Sequence, residues 1–169
     1  MGQPEEMVDL VDEDDRVVGV APRSGVRAKN LLHREVAAIC RNAAGAIYVH
    51  RRTETKDVFP GMYDVWVAGV VSSGETYEGA VRRELEEELG IAGAEPTFLF
   101  KHRYLDRHLN WWTEAFEVRW DGPIRHQPEE VAWGAYLSEA ELVAKLDEWP
   151  FVPDGVEVFR RYLKERAKH

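Results

Sequence analysis

The stretch that most constrains this chain runs from Gly69 to Ile91, GVVSSGETYEGAVRRELEEELGI. It holds six glutamates, Glu75, Glu78, Glu84, Glu86, Glu87 and Glu88, and no aspartate. From Tyr77 to Leu89 there is no proline, and good helix formers dominate. Val81, Leu85 and Leu89 recur at a spacing of four, which draws one apolar stripe along a helix. Gly90 stands where a left-handed residue is needed to end it. At roughly 100° per residue, Glu84, Glu87 and Glu88 fall within an arc of about 100° beside that stripe. Like charges at these spacings repel by a few tenths of a kcal/mol per pair. A solvated acidic face is the plain reading of such a helix. Acids crowded against a core-facing stripe also suit a hard, oxygen-seeking cation such as Mg²⁺ or Mn²⁺.

The full spacing decides between the two. Gly69, Glu75, Arg83, Glu84, Leu85, Glu87, Glu88, Gly90 and Ile91 resemble the Nudix signature, Gly-x5-Glu-x7-Arg-Glu-U-x-Glu-Glu-x-Gly-U with U apolar. Matches at these fixed places arise by chance on the order of once in a billion starts. The resemblance implies a Nudix hydrolase: an α/β fold whose mixed sheet is sandwiched between helices. It implies that Glu84, Glu87 and Glu88 bind divalent cations, with a further ligand from the Gly69 carbonyl, and that Glu75 braces the loop through Arg83. The reaction implied is attack of water on phosphorus in a diphosphate linkage, with the three glutamates as catalytic residues. The general base is left open between a signature glutamate and a later acid, Glu129 or Glu130, which are otherwise ordinary loop acids.

At 169 residues the chain reads as one domain, 1–169. Its formal charge of −9 argues against general binding to nucleic acid or anionic membranes, so a phosphate-bearing substrate needs metal ions or local cations. Arg51, Arg52 and Lys56 are candidates for that contact, against the plainer reading of a solvated strand end. Cys40 is the only cysteine and lies in an apolar strand pattern, which fits core filling and a reducing cytoplasm. The longest apolar run, Val65 to Val71, is too short for a bilayer span, and no signal peptide is visible. Met1-Gly2 does not open a myristoylation motif, because Glu6 stands where Ser or Thr is required.

The pattern predicts an N-terminal β-hairpin (Met7 to Leu10, Arg16 to Val20) and strands over Leu31 to Cys40, Ala46 to Arg52, Asp64 to Val71, Thr97 to Tyr104 and Trp111 to Trp120. Helices are predicted over Ser138 to Trp149, opened by a Ser138/Glu141 capping box, and over about Asp154 to Lys168. Trp111 and Trp112, adjacent on a strand, face opposite ways: one belongs in the core, the other against a base or a homodimer interface. His33, His50, His102 and His108 show no metal-ligand spacing and read as structural.

Beyond the signature, Leu31-Leu32-His33-Arg34, Val49-His50-Arg51-Arg52, Lys56 and Phe59-Pro60-Gly61 resemble the Nudix branch that includes isopentenyl diphosphate isomerase. That resemblance covers roughly residues 8–91. The isomerase needs a cysteine before the first signature glycine and a histidine after it, where this chain has Ala68 and Val70. It also needs an acid on the later strand, about where Trp111 and Trp112 stand. The function expected is therefore hydrolysis of a nucleoside diphosphate derivative, a small-molecule diphosphate. An isomerase-like enzyme and a non-catalytic nucleotide-binding module are the alternatives.

Overall fold

The computed structural model describes residues 5–168; Met1 and Gly2 lie outside them. Strand β3 (His33–Arg41) is the spine, buried along nearly its whole length. On one side it pairs in parallel with β8 (Asn110–Arg119), from His33 opposite Trp111 to Arg41 opposite Arg119. On the other it pairs antiparallel with β6 (Trp66–Val70). Strand β7 (Thr97–Leu105) runs antiparallel outside β8. Strand β4 (Ile47–Arg52) touches β3 only at Arg41 and Ile47, then turns away to pair with β9 (Val131–Leu137) and the short β5 (Tyr63–Asp64). The result is a mixed seven-stranded sheet.

Its two faces follow from the two-residue period of β3. Val36, Ala38 and Cys40 pack under α2 (Tyr77–Leu89), with Val81, Leu85 and Leu89. Ala37 and Ile39 face the other way, onto Leu142 of α3 (Glu139–Lys145) and Val158, Phe159 and Tyr162 of α4 (Pro153–Ala167). Helices thus cover both faces, which is why β3 shows no polar alternation. Cys40 is core filler, and burial pushes its thiol up to about 11.

The N-terminal hairpin pairs β1 (Met7–Val11) with β2 (Val17–Pro22). It docks through a bridge between Val8 and Ser72 and through the Val11 N–H, which donates to the Leu32 carbonyl. Asp15 at its turn accepts from Arg34, Tyr77 and Lys101, tying the hairpin to β3, α2 and β7.

Three elements depart from the sequence reading. The strand predicted over Asp64 to Val71 is broken at Val65, where Asp64 Oδ1 accepts the Trp66 N–H and the chain leaves β4 for β3. Helix α1 (Arg23–Lys29) was unforeseen, because Pro22 offers no side-chain cap and only Val26 is buried. Strand β9 carries no apolar alternation; its place is set by pairing with β4. The capping box of α3 forms as predicted, although the helix ends four residues before Trp149.

Candidate active site

Helix α2 is held at both ends. Thr76 Oγ1 accepts the Gly79 N–H at 3.0 Å, and Gly90 takes the left-handed region at φ 67°. Bonds from Gly90 to Glu86 and from Ile91 to Leu85 then close the end, and this fixes which side of the helix meets the sheet.

Arg83 organises the acids. Glu75 receives its Nε at 2.8 Å and its Nη2 at 3.0 Å, and also accepts the Ser72 N–H. The same guanidinium reaches Glu84 at 2.7 Å and Glu87 at 3.4 Å. Glu84 lies against Gly69, in space a Cβ there would fill. Burial, with Glu87 and Glu130 adding negative charge, raises its carboxyl to about 7 despite Arg83. Glu88 is buried with the apolar stripe, and its Oε2 has no partner among the described residues. Burial first, then the charge of Glu84, holds its carboxyl well above the usual range. Glu87 is half exposed.

Beside Glu88 opens a cavity of about 120 Å³. Arg52 and Lys56 line it, Arg52 donating to the Val58 carbonyl and Lys56 paired with Glu130. Arg51 does not join them: strand alternation turns it to the other side, where it pairs with Glu54 at 3.6 Å. Of the two later acids, Glu130 faces Glu84 and Glu88, while Glu129 is exposed and engages Thr53 through its backbone carbonyl. Phe59, on the cavity wall, holds a left-handed φ of 52°.

Neither tryptophan is core. Trp111 lines the cavity, edge-on to His33 at 5.6 Å, and Trp112 faces the opposite side between Lys101 and Arg103. Both are half-buried. His33 and His108 line the cavity, His50 is buried with its pKa driven down to about 3, and His102 bonds Glu157.

Sequence reasoning passed over three acids. Glu35, Asp64 and Asp154 are buried on the cavity wall, supplied by β3, β5 and the first turn of α4. The available signal was a single acid at an inward position of an otherwise apolar strand, as in Glu35 of HREVAAICR.

The NUDIX domain family profile matches residues 31–161. The chain belongs to the Nudix hydrolase family. It is 50% identical over 163 residues to the Nudix hydrolase SCO1686 of Streptomyces coelicolor, covering 95% of this chain and 90% of that one. It is 37% identical over 164 residues to the Nudix hydrolase YfcD of Escherichia coli K12, covering 97% and 90%. The crystal structure of DR0079 from Deinococcus radiodurans superposes with a TM-score of 0.81 at 33% identity, over 92% of this chain and 98% of that one. The chain is thus an enzyme of the pyrophosphohydrolase class.

Nudix hydrolases generally use divalent metals, and the donor set here fits one. Every candidate ligand is an oxygen, and Glu88 Oε2 is buried with nothing to bond. Among the described residues no three acids or histidines converge as ligands, since Arg83 draws Glu84 and Glu87 toward itself.

Proposed function

We propose that this Nudix chain is a Mg²⁺-dependent (or Mn²⁺-dependent) hydrolase that cleaves the diphosphate linkage of a nucleoside diphosphate derivative by water attack at phosphorus. The observation that carries this reading is the buried, unpartnered Glu88 Oε2 at a cavity that also presents Arg52 and Lys56. Glu84, Glu87, Glu88 and the Gly69 carbonyl would hold the cation, which supplies charge neutralisation and a more acidic water. Arg52 and Lys56 bind and orient the diphosphate. The proton of the attacking water passes to a carboxylate, Glu84 or Glu130. Glu84→Gln and Glu130→Gln separate these by which one flattens the acid limb of the pH profile.

Ala68, in place of a cysteine, supports hydrolysis over isomerisation. No helix of the described residues is long and apolar enough to cross a membrane. The single buried Cys40 supports a cytoplasmic setting.

The test is phosphate and pyrophosphate release from nucleoside di- and triphosphates, sugar nucleotides, dinucleotides and isopentenyl diphosphate, with Mg²⁺, with EDTA, and with Glu88→Gln. Turnover should need Mg²⁺ and fall about a hundredfold or more in the variant. Full turnover in EDTA, or by Glu88→Gln, would remove the assignment. Appearance of the dimethylallyl isomer would favour isomerisation, and ligand binding without turnover would favour a binding module.

A further inference from the structure

The wall of the cavity away from Glu88 is unusual in chemistry. Glu35, Asp64 and Asp154 are each more than nine-tenths buried there. Folding alone accounts for only part of their bonding capacity. Glu35 Oε1 accepts the Thr113 hydroxyl at 2.8 Å, and Asp64 Oδ1 accepts the Trp66 N–H at 3.0 Å. Asp154 Oδ1 is buried and has no partner among the described residues. An orphaned buried acceptor costs about 1–3 kcal/mol, more when charged, and asks for a donor that arrives from outside the fold. Arg52 lines the same cavity as Glu35, Asp64, Asp154 and Glu88, and its charge favours the ionised form of each.

Buried carboxyls are satisfied by a metal ion or by an N–H or O–H donor. Arg52 already supplies positive charge to all three acids and repels a second cation, which favours a neutral hydrogen-bond donor. An isoprenoid tail would leave Asp154 unsatisfied and so does not suit this wall. Trp111 adds a flat aromatic surface to the same cavity, suited to a planar ring.

We infer that Glu35, Asp64 and Asp154 form a recognition site for the amino-bearing edge of a nucleobase, so that this enzyme prefers substrates with an exocyclic amino group over their oxo counterparts. The inference rests on the hydrolase reading for what happens at the phosphates, and adds which end of the substrate is read. An amino group donates to a carboxyl acceptor. A ring carbonyl facing an ionised carboxylate sets acceptor against acceptor. Sugar hydroxyls are the competing donors, and they are identical within such a pair of nucleotides.

The experiment compares ADP with IDP and CDP with UDP. Binding is followed by tryptophan fluorescence, in EDTA and with Ca²⁺, and hydrolysis is measured in parallel with Mg²⁺. The amino member of at least one pair should bind about tenfold or more tightly. In Glu35→Gln and Asp154→Asn, shown by melting curves to be folded, that ratio should shrink to within about twofold while the oxo member binds no worse. Equal affinities within both pairs, or no binding of any of the four, would overturn the inference. Hydrolysis of both members at equal kcat/KM would do the same while leaving the hydrolase intact. Selective binding with no turnover would keep the recognition site and remove the hydrolase.

Discussion

Asp64 shows how a residue can serve a cavity at the expense of the fold. Its carboxyl is buried beside Asp154, and burial first, then that neighbouring charge, pushes it up from 3.8 to about 7. A carboxyl whose folded pKa lies above its unfolded value favours folding fully below pH 3.8. That contribution is lost as pH rises through about 7. Asp64→Asn keeps an acceptor for the Trp66 N–H and removes the charge. The variant should therefore melt higher than the wild type at pH 8, by on the order of 2 kcal/mol or about 4–8 °C. The gap should close toward pH 4. Melting curves across that range check it, and a variant that melts lower at pH 8 would refute this account of Asp64. The residue was hard to suspect from sequence because it borders an apolar run, and its neighbour Asp154 lies ninety positions away.

At the scale of elements, the contact between β6 and α2 decides whether the acids can work together. Gly69 lacks a Cβ, and the Glu84 carboxylate occupies the space one would take. Gly69 has no left-handed φ, and the atoms an alanine there would meet first all belong to the Glu84 side chain, from its carboxylate back to Cγ, rather than to backbone. Gly69→Ala should therefore leave the melting temperature nearly unchanged while lowering hydrolysis about tenfold, because Glu84 is displaced. Full activity in that variant would show that Glu84's position against β6 is unimportant. The helix itself was legible: its start, its stripe and its Gly90 stop all depend on residues within one turn of each other. The broken strand at Val65 was not, because the break comes from an exchange of pairing partners between β4 and β3.

Across the whole molecule, the sheet is tied to the α3 and α4 layer at the end opposite the cavity. Arg41, at the close of β3 and only 3% exposed, donates to the Tyr162 hydroxyl at 2.8 Å, the Gly45 carbonyl at 2.6 Å and Glu139 at 3.0 Å. Tyr162 in turn donates to Glu117 of β8 at 2.5 Å. One buried guanidinium therefore joins β3, the turn after it, α3 and α4. Tyr162→Phe removes the acceptor of Arg41 Nε and should cost about 2 kcal/mol, seen as a melting temperature about 4–8 °C lower. Since β3 runs from cavity to tie, KM and kcat at 25 °C should stay within about twofold. An unchanged melting curve would mean the tie contributes nothing.

The part of this protein that the sequence determined by itself is the local part: the α2 helix, its spacing of acids, the α3 cap, and membership in a metal-using hydrolase family. Helical geometry converts short spacings directly into neighbours, so Arg83 meeting Glu75, Glu84 and Glu87 needs little beyond the chain between them. Only the tertiary structure decided that Arg52 faces the cavity while Arg51 does not, that Glu130 rather than Glu129 reaches the signature acids, and that Glu35, Asp64 and Asp154 share one wall. Those juxtapositions come from strand register and from two helical layers closing over one sheet. Their partners are separated by tens of residues, and no local pattern records them.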